Sequence, residues 1–229
     1  QLAKDYGVAP MMFLSTISAQ GEASISSAFE LINNPESQDR AIVNTLRILK
    51  DKGYYGVNIY LQYISLGSRD LVDEFITRAA GIFHSAGYRV IITISPRVIL
   101  ETREIQFEEL DYSSFARVAD GILFLNYEGG ITYGVPGTIA PVNILRGMLD
   151  YAINTVPPEK IFLGVPTTGY DWELPYVPGV TWGNAITTDA AVQIAVDEGV
   201  PILFNQEAQA PYFYYEREEL HLVWFKDAR

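Results

Sequence analysis

The sequence predicts an α/β fold built on a parallel sheet, open or closed into a barrel. Two observations carry this reading. Short apolar runs alternate with amphipathic helical stretches along most of the chain, and those runs are apolar at nearly every position instead of every second one. Strands of that kind are covered on both faces, which is what right-handed βαβ crossovers produce.

The first run, residues 11–17, is followed by a helical stretch at about 36–52 with Ile42, Leu46 and Leu49 on one face. The pattern recurs as a strand at 57–64, a helix at 70–87 with Leu71, Phe75, Ala79 and Phe83 in register, and a strand at 90–95. A strand at 122–127, a helix at 141–156 carrying Leu145, Met148, Leu149 and Ala152, and a strand at 161–165 continue it. After Thr187 a last helix adds Val192, Ala195 and Val196. The tail departs from this rhythm, because residues 211–215 and 220–225 are aromatic-rich and separated by the charged run 216–219. That reads as an appended β-hairpin, an insertion at about 202–225. Residues 170–184, with Pro175, Pro178 and Gly179, read as a long loop carrying Tyr170, Trp172, Tyr176 and Trp182.

Charge and composition narrow the function classes. The chain is expected to form one domain over residues 1–229. With 16 Lys plus Arg against 28 Asp plus Glu, its net charge of −12 repels a phosphate backbone, so nucleic acid is not an expected partner. No run reaches the roughly 20 apolar residues of a membrane span, and the amino terminus lacks a basic stretch followed by an apolar one, so no membrane partner is expected. The absence of cysteine excludes disulfides, thiolate zinc sites and thiol nucleophiles. Only His84 and His221 offer imidazole; each reads first as a surface or satisfied core residue, and His84 falls late in a helix, where cations are favoured. The acidic residues lack metal-ligand spacing and no Gly-rich loop follows a strand, so neither a metal nor an organic cofactor is expected.

Three stretches, taken together, resemble the spore and cell-wall branch of family 18 glycoside hydrolases. They are the run from Gly53 to Tyr63, Leu125-Asn126-Tyr127-Glu128, and the segment from Ile161 through Pro178 that holds Gly169-Tyr170-Asp171-Trp172. The segments 140–143, 157–161 and 207–211 add to the likeness, which covers most of the chain. The resemblance implies a TIM-barrel-like (β/α)8 fold whose fourth strand, here 57–64, carries alternating acidic residues ending in a catalytic Glu. Alternation places Asn58, Tyr60 and Gln62 on one face of that strand, the barrel interior. In active relatives the Glu protonates the glycosidic oxygen, and the Asp two residues before it holds the N-acetyl group whose carbonyl attacks the anomeric carbon.

Here Gln62 stands at the Glu position and Tyr60 at the Asp position. An amide has no usable proton at neutral pH, and general acid catalysis contributes about 10²- to 10⁴-fold. Tyr127 and Glu128 match the family's Tyr-acid pair at the end of the sixth strand, where the Tyr bonds the N-acetyl group; on residue type alone they are an ordinary strand aromatic and a solvated acid. Tyr170 and Trp172 offer flat rings to sugar faces and Asp171 could accept from hydroxyls, or these residues only pack the loop.

Against the family the chain is short. Its first two βα units and last strand have no counterpart, so the barrel is expected to be incomplete. Unpaired sheet edges then call for a partner chain such as a homo-oligomer, for coverage by the tail, or for a longer parent protein. Three functions are open. One is a silent member binding N-acetylglucosamine glycans such as peptidoglycan or chitin at a cell wall, spore surface or extracellular site. The others are a structural or assembly protein of a spore or wall layer, and an active glycosidase using Glu128.

Overall fold

The computed structural model describes residues 2–16, 24–61, 69–95, 97–99, 104–106, 112–125, 135–138 and 141–227. In chain order its elements are α1 (Leu2–Asp5), β1 (Met11–Ser15), α2 (Ile25–Asn33), α3 (Pro35–Lys52), β2 (Gly56–Tyr60), α4 (Arg69–Ser85) and β3 (Arg89–Ile94). A small ribbon of β4 (Arg97–Ile99) and β5 (Glu104–Gln106) precedes α5 (Tyr112–Val118), β6 (Gly121–Phe124), α6 (Val142–Thr155) and β7 (Ile161–Leu163). Then come β8 (Thr168–Leu174), β9 (Gly183–Thr187), α7 (Thr188–Asp197), β10 (Leu203–Asn205), β11 (Ala210–Glu216) and β12 (Leu220–Trp224). The chain, read above as one domain, divides into two compact units, Gln1–Ile94 with Phe107–Phe124 and Ala152–Leu163, and Ser95–Gln106 with Leu125–Tyr151 and Gly164–Arg229.

The first unit holds a parallel sheet in the order β1-β2-β3-β6-β7. An order that never doubles back keeps right-handed crossovers on one face. That face carries Val57, Ile59, Val90, Ile92, Ile122 and Phe124, all buried. Helix α4 packs on β3 and α5 on β6, and Val72, Phe75, Ala79, Phe83 and Phe115 complete the core. The helices start and stop where local chemistry dictates. Asn34 caps α3 by accepting from the Glu36 and Ser37 amides, with Pro35 in its first turn. Gly53, at φ 63°, takes the left-handed conformation that ends it. At Gly56 the Arg89 backbone leaves no room for a Cβ, which holds β2 and β3 close.

Two polar fasteners sit at the start of the strands. Asp120 accepts from the Val90 amide and pairs with His84, in the last turn of α4, and with Arg89. Burial works against its ionisation, but the Val90, His84 and Arg89 hydrogen bonds together outweigh burial and hold the carboxyl at about 2. Lys160 Nζ donates to the Ala116 and Ala119 carbonyls at 2.7 and 2.8 Å, closing the C-terminal end of α5.

The second unit is organised around an antiparallel sheet, β10-β11-β12-β8-β9. Of the stretch 170–184 expected to be a loop, residues 175–182 are one, while its ends lie in β8 and β9; in β8, Tyr170, Trp172 and Leu174 alternate with Asp171 and Glu173 at the strand period. Nearby prolines and glycine obscured that alternation in the sequence. The tail strands β11 and β12 do pair with each other, but β8 continues the sheet beyond β12. Helix α7, capped by Thr187, packs on this sheet through Ala191 and Ala195 against Phe213, Tyr215, Val223 and Phe225.

Candidate active site

Alternation along β2 sends Asn58 and Tyr60 to the face opposite Val57 and Ile59. Parallel register places Phe13 of β1 and Ile91 of β3 beside Asn58, and Thr93 follows two residues after Ile91. Asn58 is nearly buried, and its Oδ1 accepts from Thr93 Oγ1 at 2.6 Å. A buried amide of this kind is tolerated because the hydroxyl answers it. Tyr60 is only 2% exposed, and its ring meets Phe13 edge-on with centroids 5.7 Å apart. Phe13 itself is 49% exposed.

Tyr60 is therefore part of the packing of β2. Among the described residues of this face on β1, β2 and β3, no side chain is a carboxylic acid. Gln62, Tyr127 and Glu128 lie outside the described residues. Also among the described residues, no group of three His, Cys, Asp or Glu side chains could hold a metal ion, and no helix is long and apolar enough to cross a membrane.

The other residues singled out for binding lie on β8. Tyr170 is partly exposed and leans on Trp172, with ring centroids 5.7 Å apart at 32°. Trp172 has no exposed surface at all. Its indole lies against Gly183, where a Cβ would come within 2.7 Å of the ring, so it anchors strand packing and presents no free face. Asp171 points to the opposite face of β8 and is likewise not free for hydroxyls: Tyr215 Oη donates to its Oδ2 at 2.7 Å, and His221 Nδ1 lies 3.0 Å from its Oδ1. Of the two readings left open for these residues, these contacts favour packing for Trp172 and Asp171, while Tyr170 keeps accessible surface. Sequence reasoning named neither Thr93 nor Tyr215 and set His221 aside, since their partners lie 35 to 50 residues away.

The sequence profile of glycosyl hydrolases family 18 matches residues 14–229. The chain belongs to glycosyl hydrolase family 18. Its relatives include the cortical fragment-lytic enzyme of Bacillus subtilis strain 168, 28% identical over 222 residues, covering 96% of this chain and 51% of that one. Among solved structures, the spore cortex-lytic enzyme SleL of Bacillus megaterium QM B1551 superposes with a TM-score of 0.89 at 27% identity over 100% of this chain and 52% of that one. A chitinase from Chromobacterium violaceum ATCC 12472 shares the fold at TM-score 0.85 and 22% identity, over 100% of this chain and 70% of that one. The chain spans about half the length of the curated relatives it matches. β2 is the strand on which the resemblance places the acid catalyst, and Asn58 and Tyr60 share one of its faces.

Proposed function

We propose that this family 18 chain is catalytically silent and binds glycans containing N-acetylglucosamine, such as peptidoglycan or chitin. The observation that supports it most is Tyr60. A bulky phenol, buried against Phe13, occupies the position where an active relative needs a small carboxylate open to substrate. Gln62 follows it in place of the acid that protonates the leaving oxygen, and an amide supplies no such proton. Tyr170, partly exposed on β8, remains the best described ring for a sugar face, and the resemblance supports Tyr127 as a polar contact with Glu128 as a spectator acid. The unreversed strand order of the parallel sheet favours reading it as an arc of a (β/α)8 barrel. The name of the spore cortex-lytic enzyme SleL favours a spore setting, and pairing of β1 or β7 with a second copy is checked by sedimentation.

The test is calorimetric titration with chitooligosaccharides and muropeptides beside a long-incubation hydrolysis assay on the same sugars. Binding without turnover is the expected result. Turnover that disappears in Glu128→Gln would overturn the silent reading and make Glu128 the acid. Neither binding nor turnover would favour the second reading, a structural protein of a spore or wall layer, which the burial of Tyr60 also supports.

A further inference from the structure

A second polar cluster is built into the antiparallel sheet, centred on Asp171. This residue is 9% exposed, and both of its side-chain oxygens are engaged, one by the Tyr215 hydroxyl and one by His221. A carboxylate oxygen accepts, so the hydrogen bond between His221 and Asp171 is donated by Nδ1. The Tyr215 and His221 rings stack at 4.5 Å and 21°. The Arg217 guanidinium lies 5.3 Å from the Tyr215 ring centre, and its Nε donates to Glu198, at the end of α7, at 2.7 Å. One chain of contacts thus ties β8, β11, β12 and the end of α7 to a single carboxylate. A buried carboxylate without partners is costly, so the cluster holds Asp171 at one depth and one lateral position.

What that accomplishes follows from the period of the strand. Tyr170 and Trp172 flank Asp171 on β8 and point to the opposite face. Trp172 is seated over Gly183, and Tyr170 leans on Trp172. Fixing Asp171 from one side therefore sets the height and tilt of Tyr170 on the other. We propose that Asp171, gripped by Tyr215 and His221, is the positioning residue for Tyr170. This rests on the reading above in which Tyr170 touches the glycan. Pairing with β12 and β9 holds the backbone of β8 on both edges, and the grip on Asp171 adds a side-chain restraint from the face opposite Tyr170. Misplacement of a contact group by about 1 Å can cost as much as 10²-fold in function, so small changes at Asp171 are amplified at Tyr170.

The test uses the full chain with 3-fluorotyrosine at position 170, read by ¹⁹F NMR without ligand, beside calorimetric affinity for chitotetraose and the melting temperature. Asp171→Asn and His221→Leu are expected to shift or broaden the ¹⁹F signal and to weaken chitotetraose binding about tenfold, well inside that bound. His221→Asn, whose amide donates from the place of Nδ1, is expected to restore both to within about twofold. Should either variant fail to fold, Tyr215→Phe removes a single hydrogen bond and is expected to move the same signal by a smaller amount. An unchanged ¹⁹F signal in folded Asp171→Asn and His221→Leu overturns the proposal, even where the melting temperature falls. A shifted signal together with full affinity in Tyr170→Ala supports the positioning and refutes the glycan contact.

Discussion

Replacing Asp120 by Asn tests the electrostatic fastening of the parallel sheet. The folded carboxyl sits at about 2 against an ordinary 3.8, a depression of nearly two units. At about 1.4 kcal/mol per unit this corresponds to roughly 2 kcal/mol of stability at neutral pH. Because the folded value is depressed, the contribution is present above about pH 4 and is lost as the pH falls through about 2. The side chain is only 22% exposed, so solvent screening takes little of it. Urea denaturation of wild type and Asp120→Asn from pH 7 down to pH 2 measures it. A gap of roughly 2 kcal/mol at pH 7 that closes toward pH 2 is expected, and a gap independent of pH would refute the ionic origin.

Three further outcomes follow from contacts described above. Lys160→Met leaves the Ala116 and Ala119 carbonyls without their ammonium donor and should cost about 1–3 kcal/mol, read by thermal melting. Gly183→Ala drives a Cβ into the Trp172 indole and should cost about 1–3 kcal/mol while altering the near-ultraviolet circular dichroism of the tryptophans. Thr93→Val removes the buried donor to Asn58 and should destabilise by about 1–3 kcal/mol in urea titration, with Thr93→Ser retaining most of the stability.

The long helices α3 and α4 and the parallel strands of the first unit were legible because their signals are local. Ile42, Leu46 and Leu49 recur at the helical period in α3, and the apolar runs on either side are short enough to read as strands. The short elements α2 and α5 and the strand β8 were not legible, for different reasons. Helix α5 has only seven residues, too few for a periodic signal. Strand β8 lies beside Pro175, Pro178 and Gly179, which read as a loop although Tyr170 and Trp172 already carried the period of two.

For the candidate site, the sequence by itself determined which side chains stand at positions 60 and 62. The identities of Tyr60 and Gln62 exclude carboxylic acids at those two positions whatever the chain folds into. Only the tertiary structure decided how the remaining residues are used. Trp172 looked like a sugar platform and is sealed over Gly183; Asp171 looked like a hydroxyl acceptor and is taken by Tyr215 and His221; Asn58 is paired with Thr93. The physical reason is that identity is a property of one position, whereas burial and hydrogen-bond partnership are settled by strands that meet across 35 to 50 residues of chain.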